Sequence, residues 1–445
     1  MTIWKNMKIR YSLINNCILL IFLFLGMSTF AQHLLTVGEA VEIALRNNYG
    51  IRLAENDLKI DQNNVSWGHA GILPRVEANL IDNNSVQDLS QIRSDGTSVE
   101  RSNAKNNSLN YGVRMDWTLF NGFGMFARYD QLKQLEALGE TQLKQTILDR
   151  VSNTMITYYE LVQQKQELAA MDSTLAISQQ RVELAENRFT IGKASKLEVL
   201  NAQVDINTDK TLYAKQMEQY SHTKIRLNEI LARDPKTDFT VVEFMLVDES
   251  LSLPDLEAMA KVQNPDLQAQ LINKRIAELE FKRIRAARYP TIVGTTGYNF
   301  NESESSLGFT TSSSSEGFNY GISASVNIFD GFNQKRNERT AKIQMENAQL
   351  VIEQRAQSLQ SQLEMAYRTY LTNVSLIGVE ENNQAIAREN MEITVEKFRI
   401  GTISTLEFRT AQLNYINAKV RYSEATYQAK LSEIMLKQLA GNLTM

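Results

Sequence analysis

The chain is 445 residues long and nearly balanced in charge, with 47 basic against 51 acidic side chains and a formal net charge of −4. That balance gives no reason to expect a nucleic-acid partner. A single cysteine, Cys17, excludes a disulfide framework, and the three histidines, His33, His69 and His222, lack metal-ligand spacing.

The first element reads as an export signal over 1–31. Lys5, Lys8 and Arg10 precede an apolar run from Cys17 to Met27, and Thr29-Phe30-Ala31 offers a cleavage site before Gln32. The run is about 11 residues, too short to cross a bilayer as a helix; an uncleaved anchor is the alternative. Cys17 lies at the front of this run, not behind it, so it does not read as a lipid-attachment site, and cleavage would leave no thiol.

Residues 37–71 read as helical, with a break at Asn47-Asn48 and Gly50, and Pro74 closes the region. The period then changes. Val76, Ala78 and Leu80 alternate with polar residues, as do Leu109, Tyr111, Val113, Met115, Trp117 and Leu119, which predicts a hairpin over about 75–120. Its arms of about 10–12 residues suit a tilted strand of an outer-membrane barrel. The polar stretch 83–107 between them reads as a long external loop.

A very long helix follows, about 125–190, with Leu161, Leu168, Leu175, Val182 and Phe189 at every seventh position. A second, about 196–231, carries Val199, Ile206, Tyr213, Tyr220 and Leu227 at the same spacing. Sevenfold spacing sustained this long predicts a coiled-coil hairpin, whose first arm would run roughly 100 Å. Residues 232–265, with Pro235, Pro254 and Pro265, read as a linker. The segment 266–445 then repeats the plan. A β-hairpin over about 291–329 has Ile292, Gly294, Thr296, Tyr298 and Phe300 on one side and a polar loop near 301–315. A helical hairpin over about 333–440 has Phe408, Tyr415, Tyr422, Ala429 and Leu436 in sevenfold register.

The repetition extends to the residues themselves. Arg188-Phe189-Thr190-Ile191-Gly192-Lys193-Ala194-Ser195-Lys196-Leu197-Glu198 returns as Lys397-Phe398-Arg399-Ile400-Gly401-Thr402-Ile403-Ser404-Thr405-Leu406-Glu407, 209 positions later. The same offset carries Leu119-Phe120-Asn121-Gly122-Phe123 onto Ile328-Phe329-Asp330-Gly331-Phe332. A unit of this size is too long for a solenoid repeat; it reads as a duplicated half-protein, with 32–231 and 266–445 as the two repeats. Four strands cannot close a barrel, since the smallest membrane barrels have eight and lipid tolerates no open edge. At least two copies must share one barrel, unless the strands form a soluble sandwich.

With an export signal, two like halves, one β-hairpin per half and paired long helices, the chain resembles the TolC-like outer membrane factor family. The match is strongest in Phe189-x-x-Gly192-x-x-Ser195-x-Leu197-Glu198 with Ala202-Gln203, and again in Phe398-x-x-Gly401-x-x-Ser404-x-Leu406-Glu407 with Ala411-Gln412. The resemblance implies an α+β fold, mostly α. Its long antiparallel helical hairpins would form a periplasmic α-barrel, and four strands per chain would join a trimeric twelve-stranded barrel in the outer membrane. It also implies an equatorial role for 232–265, and as partners a periplasmic adaptor and an inner-membrane transporter.

The resemblance places the functional residues at the turns. Gly192 and Gly401 reverse the backbone where a side chain would clash, and Phe189, Ile191, Phe398 and Ile400 would present an apolar surface to an adaptor; packing within the turn is the alternative. Glu407 would line the pore entrance with its symmetry mates, as charged rings do in channels, or serve as an N-terminal helix acid; Glu198, the matching entrance candidate of the first turn, reads more as structural. The family's second acid, three residues on, is absent: Thr410 and Asn201 stand there. Trp117, Phe120, Phe123, Phe329 and Phe332, at strand ends, read as a membrane-interface belt in contact with outer-membrane lipid, and Arg114 and Asp116 as lumen-facing. No catalytic constellation, cofactor motif or metal cluster stands out. The expected function is a passive exit duct, for small molecules or ions, or for proteins in a type I secretion system. A non-pore coiled-coil scaffold is the rival from another class.

Overall fold

A computed structural model describes residues 33–306 and 310–443; the expected export signal and Cys17 lie outside the described residues. The chain forms two compact units. One comprises residues up to Ile43 with Thr154–Leu246 and Val379–Tyr427, the other Ala44–Asn153, Val247–Gly378 and residues from Gln428 on.

The second unit contains the sheet. Strands β2 (Arg75–Ile92) and β3 (Ser98–Asn121) precede the first helical pair. Two others, β5 (Thr291–Ser305) and β6 (Ser312–Ser325), precede the second. All pair antiparallel in the order β2-β3-β5-β6, with Tyr111 opposite Phe300 and Tyr298 opposite Phe318. Side chains alternate across a strand, so Tyr111, Val113, Met115 and Trp117 share a face with Phe300, Tyr298, Thr296 and Gly294, as their alternation predicts. That apolar face is exposed at Val113, Tyr320 and Ile322, and the outer strands β2 and β6 each have one edge without a partner among the described residues.

The strands are longer than their apolar alternation. The stretch 83–107, expected as a loop, is mostly strand: Asn83 pairs with Ser108 and Val99 with Gln91, and only 93–97 turns, where Arg93 donates to the Thr97 carbonyl at 2.9 Å. The stretch 301–315 is likewise strand through Ser305 and again from Ser312. A ladder joins backbone to backbone and needs no apolar face, so Asn- and Ser-rich arms that are wet on both sides leave no alternation to read. A bulge at Gln87–Leu89 is held by the Asp88 carboxylate, which accepts the Asn103 N–H at 2.7 Å. The last strand stops at Ser325, short of the expected end near 329.

The long helices start and stop close to where the sequence places them, whereas the helical reading of 37–71 runs too far, since helix ends at Asn64 and turns follow to Gly71. After α1 (Val37–Asn47) and α2 (Tyr49–Asn64), the first long pair is α3 (Gly124–Thr190) and α4 (Lys196–Ile230). Asn48 separates α1 from α2 and caps the latter, its carboxamide oxygen accepting the Gly50 N–H at 2.8 Å. Two shorter helices, α5 (Leu253–Gln263) and α6 (Pro265–Ala286), carry Pro254 and Pro265 in their first turns, where an N–H has no helical partner. The second long pair is α7 (Asn333–Ile400) and α8 (Thr405–Leu439). In the first unit the sevenfold residues Leu161, Leu168, Val182, Val199, Ile206 and Leu227 are buried. Val182, Ala185, Val199, Ala202 and Ile206 form the seam between α3 and α4.

The linker 232–265 is folded. In the first unit its β4 (Thr240–Val241) pairs parallel with β1 (Leu34–Leu35), and the buried Tyr158 hydroxyl donates to the Leu35 carbonyl at 2.9 Å. In the second unit Leu256 and Ala260 of α5 pack on Leu363, Ala366, Tyr370, Leu436 and Ala440. Asp248 accepts from Lys437 at 3.3 Å, and its own N–H donates to Glu433 at 3.0 Å.

Candidate functional site

The two helical turns are built alike. In the first, Gly192 has φ +76° and Lys193 N–H reaches back to the Arg188 carbonyl at 2.8 Å. In the second, Gly401 has φ +84° and Thr402 N–H reaches the Lys397 carbonyl at 3.0 Å. This is the left-handed closure that satisfies carbonyls at a helix end, and glycine adopts it without a Cβ clash. Ser195 and Ser404 then start the returning helices, their hydroxyls accepting the N–H of Glu198 and Glu407, each at 3.3 Å.

The acids of the two turns part company here. Glu407 closes a reciprocal box, its Oε2 accepting the Ser404 N–H at 2.8 Å and the Ser404 hydroxyl at 3.0 Å. Those bonds from Ser404 hold the Glu407 carboxyl below the usual carboxylate range. Glu198 instead lies 3.7 Å from the Arg188 guanidinium.

The aromatics also differ. Phe189 is 43% exposed, with Ile191 and Ile400 exposed beside the turns, whereas Phe398 is only 2% exposed. Phe398 therefore presents no docking surface in this chain, contrary to the expectation for it. It packs at a 43° tilt against Phe408 with centroids 4.7 Å apart, within a core completed by Met391 and Ala411 and covered by Ile177 and Leu184 of α3. Arg188 finishes the cover: its guanidinium lies 5.0 Å over the ring, and its Nη2 donates to the Phe398 carbonyl at 2.6 Å.

Further along the same unit lies a group that sequence reasoning missed. Arg409 of α8 donates to both oxygens of Asp209 of α4, at 2.9 and 2.8 Å. Ser178 of α3 donates to the same carboxylate at 2.6 Å, and Gln412 donates to Ser178 at 2.7 Å. Beside them Arg181 is 2.7 Å from Asp205. Asp209, Arg181, Ser178 and Gln412 are all buried. The available signal was the acid pair Asp205 and Asp209, four apart on α4, which by itself looks like a solvated helix face.

In the other unit, the strand-end aromatics form two like corners. Phe120 and Phe123 meet edge to face at 5.2 Å and 87°, and Phe329 and Phe332 at 5.4 Å and 87°. Gly122 and Phe123 have φ +68° and +67°, Gly331 and Phe332 +68° and +65°. A Cβ at Gly122 would stand 2.2 Å from the Ala286 carbonyl oxygen, so the corner requires glycine there. Trp117 donates its indole N–H to the Ile72 carbonyl at 2.8 Å, and Arg114 is paired with Asp116 at 2.8 Å on the polar face. No group of three metal-ligating side chains occurs among the described residues, and no helix there is long and apolar enough to cross a membrane.

The sequence profile of the family described as outer membrane efflux protein matches residues 40–233 and 256–442. The chain belongs to this family. Membership places it in the outer membrane with a periplasmic extension. Among curated relatives, Protein CyaE of Bordetella pertussis is 23% identical over 421 residues, covering 91% of this chain and 84% of that protein. Outer membrane protein TolC of Vibrio cholerae is 23% identical over 295 residues, 64% of this chain and 66% of that protein. Among solved structures, the CmeC outer membrane channel of Campylobacter jejuni superposes with a TM-score of 0.76 at 16% identity, covering 91% of this chain and 85% of that one. At that identity the likeness speaks for the fold.

Proposed function

We propose that the chain is one protomer of a passive exit duct of a tripartite efflux system. In this reading three copies pool four strands each into a twelve-stranded barrel, and their helical pairs continue it as an α-barrel into the periplasm. The observation that carries it is the sheet β2-β3-β5-β6, which has an exposed apolar face and two edges without partners among the described residues. In lipid such edges must pair, and only another copy offers a strand at both. A soluble scaffold would leave that face in water. The two like aromatic corners support reading the halves as a duplication, so the trimer would have pseudo-sixfold character. Phe123, Phe329 and Phe332 are exposed at the strand ends, where an aromatic belt meets the bilayer surface.

The turns are the entrance. Phe189, Ile191 and Ile400, beside Gly192 and Gly401, form the apolar surface for a hairpin of a periplasmic adaptor, which couples the duct to an inner-membrane transporter. Glu407 carries its charge at the mouth, and Glu198 holds the first turn through Arg188. The duct carries out no reaction; the transporter supplies energy and selects small molecules or ions as cargo. Extraction only by detergent, a trimeric mass in native mass spectrometry and single-channel conductance in planar bilayers are the expected results. A soluble, non-conducting monomer would overturn this reading.

A further inference from the structure

The segment that follows β4 is held by α3. Lys165 of α3 donates to the Val241 carbonyl at 2.8 Å and lies 3.8 Å from the Glu243 carboxylate, and Gln166 donates to the Glu243 carbonyl at 2.7 Å. Ser423 of α8 fixes Gln166 in turn, its hydroxyl donating to the carboxamide oxygen at 2.7 Å. Beyond these anchors the side chains alternate as on an extended strand: Phe244 is 76% exposed, Met245 7% and Leu246 86%. Outside the sheet and its two corners, no described large apolar side chain is more exposed than Phe244 and Leu246. The backbone N–H and carbonyl groups of Phe244, Met245 and Leu246 have no hydrogen-bond partner among the described residues.

A cavity of about 330 Å³ opens beside this segment, a volume in the range of ligand pockets. Ala169, Phe244, Met245 and Tyr422 give it apolar walls, and Gln384 of α7 and Lys419 of α8 also line it. Lys419 is half-buried, its ammonium 5.8 Å over the Tyr415 ring, and no carboxylate pairs with it among the described residues. Lys165 is already matched by Glu243, so the cavity carries one unmatched positive charge.

An apolar cavity, an unmatched ammonium and a free backbone edge together suit an extended polypeptide. We propose that this is a second docking place, for an extended segment of a periplasmic protein. The segment's backbone pairs along Phe244–Leu246, one apolar side chain enters the cavity, and a carboxylate on the same face reaches Lys419. Side chains on one face of a strand recur every second residue, about 7 Å apart, so the acid stands two positions from the apolar anchor. The place is separate from the helical turns and does not depend on conduction. A small amphiphile would use the cavity and Lys419 but not the backbone edge, and a neighbouring copy would keep Phe244 and Leu246 covered.

The test uses the full-length protein in detergent and a fluorescent, acetylated peptide of serines and threonines. The peptide carries one phenylalanine with an aspartate two positions away on each side. Saturable binding in fluorescence anisotropy is expected. Lys419→Gln should weaken it about tenfold, the worth of a hydrogen bond to a charged group. Replacing both aspartates by asparagine should cost as much, and the two changes together no more than either alone. Ala169→Trp fills the cavity from an exposed position and should abolish binding with the oligomeric mass unchanged. N-methylation of the peptide backbone beside the phenylalanine should abolish it as well, because the pairing edge is lost. Phe244→Ser, at an exposed side chain, is a second variant, expected to weaken binding about fivefold. No saturable binding to the wild type, or affinity unchanged in Ala169→Trp or Phe244→Ser, would overturn the docking place. Equal binding of the N-methylated peptide, with displacement by decanoate, would make the cavity a small-molecule site and overturn the polypeptide. A photoreactive benzophenone at Leu246 is expected to give no covalent oligomers of this chain in the outer membrane; such oligomers would assign the surface to a neighbouring copy and overturn the proposal.

Discussion

Arg409 grips Asp209 through two bonds of 2.8 and 2.9 Å, tying α8 to α4 in a place where both side chains are largely withdrawn from water. Asp209 accepts a third bond from Ser178, so its charge is fully matched. Removing one partner of such a pair leaves the other buried and uncompensated, which costs about 3–5 kcal/mol, whereas replacing both by apolar groups is often neutral. Arg409→Ala is expected to lower local stability by about 3 kcal/mol, read as faster amide exchange over 199–213 in assemblies that still form. The double variant Arg409→Leu with Asp209→Leu should recover most of that protection. Equal loss in the single and double variants would show that packing, not charge matching, holds this place.

The helices were legible because their signals are local. Sevenfold apolar spacing and the glycines at 192 and 401 mark bounds that the structure shifts by about one residue. The strand arms beyond the apolar alternation were not legible, since Asn and Ser on both faces carry no period although the backbones still pair. Phe398 illustrates the other limit. Its motif is the same as that of Phe189, and what buries it is Arg188, Ile177 and Leu184, more than 200 residues away in sequence. Asp209 was hidden for the same reason, because its partner sits on another helix of the other half.

The two turn glycines should respond unequally to alanine. Both have positive φ, where a Cβ costs about 1–2 kcal/mol. At Gly192 the added methyl group meets open space, so backbone strain is the whole effect. At Gly401 it would stand 2.8 Å from Arg188 Nη2 and push the guanidinium off the Phe398 carbonyl. Gly401→Ala is therefore expected to lose about 1 kcal/mol more than Gly192→Ala, the worth of a displaced hydrogen bond. In an Arg188→Ala background the two glycine variants should become alike. Hydrogen exchange of the turn amides measures this, and an unchanged difference in that background would remove Arg188 from the account.

The segment around Asp248 carries an acid-sensitive attachment. Its carboxyl is held down to about 2, first by the hydroxyl and N–H of Ser250 and then by the Lys437 ammonium. The unfolded value is about 3.9, so the folded state keeps this carboxylate ionised where the unfolded chain has already taken up a proton. The stabilisation is complete above about pH 4 and is lost as pH falls toward about 2. Amide protection over 247–252 should fall in that window, and Asp248→Asn should be weaker above it and insensitive within it. A wild-type profile that is flat across the window would exclude this carboxylate as the titrating group.

Glu407 caps the start of α8, and the entrance role proposed for its charge separates from that by substitution. As the box partner of Ser404 it needs an acceptor at Oε2, which glutamine retains; as a fixed charge at the entrance it needs ionisation, which glutamine lacks. Glu407→Gln is expected to weaken block of the single-channel current by multivalent cations while leaving exchange of the Ser404 and Glu407 amides nearly unchanged. Glu407→Ala should weaken the block and also speed exchange at the start of α8. The bonds from Ser404 favour the ionised form, so wild-type block should persist in acid below the ordinary glutamate value of about 4.3 before it fades. If Glu407→Gln blocks as wild type does, the charge acts only in the cap and the entrance ring must be sought elsewhere.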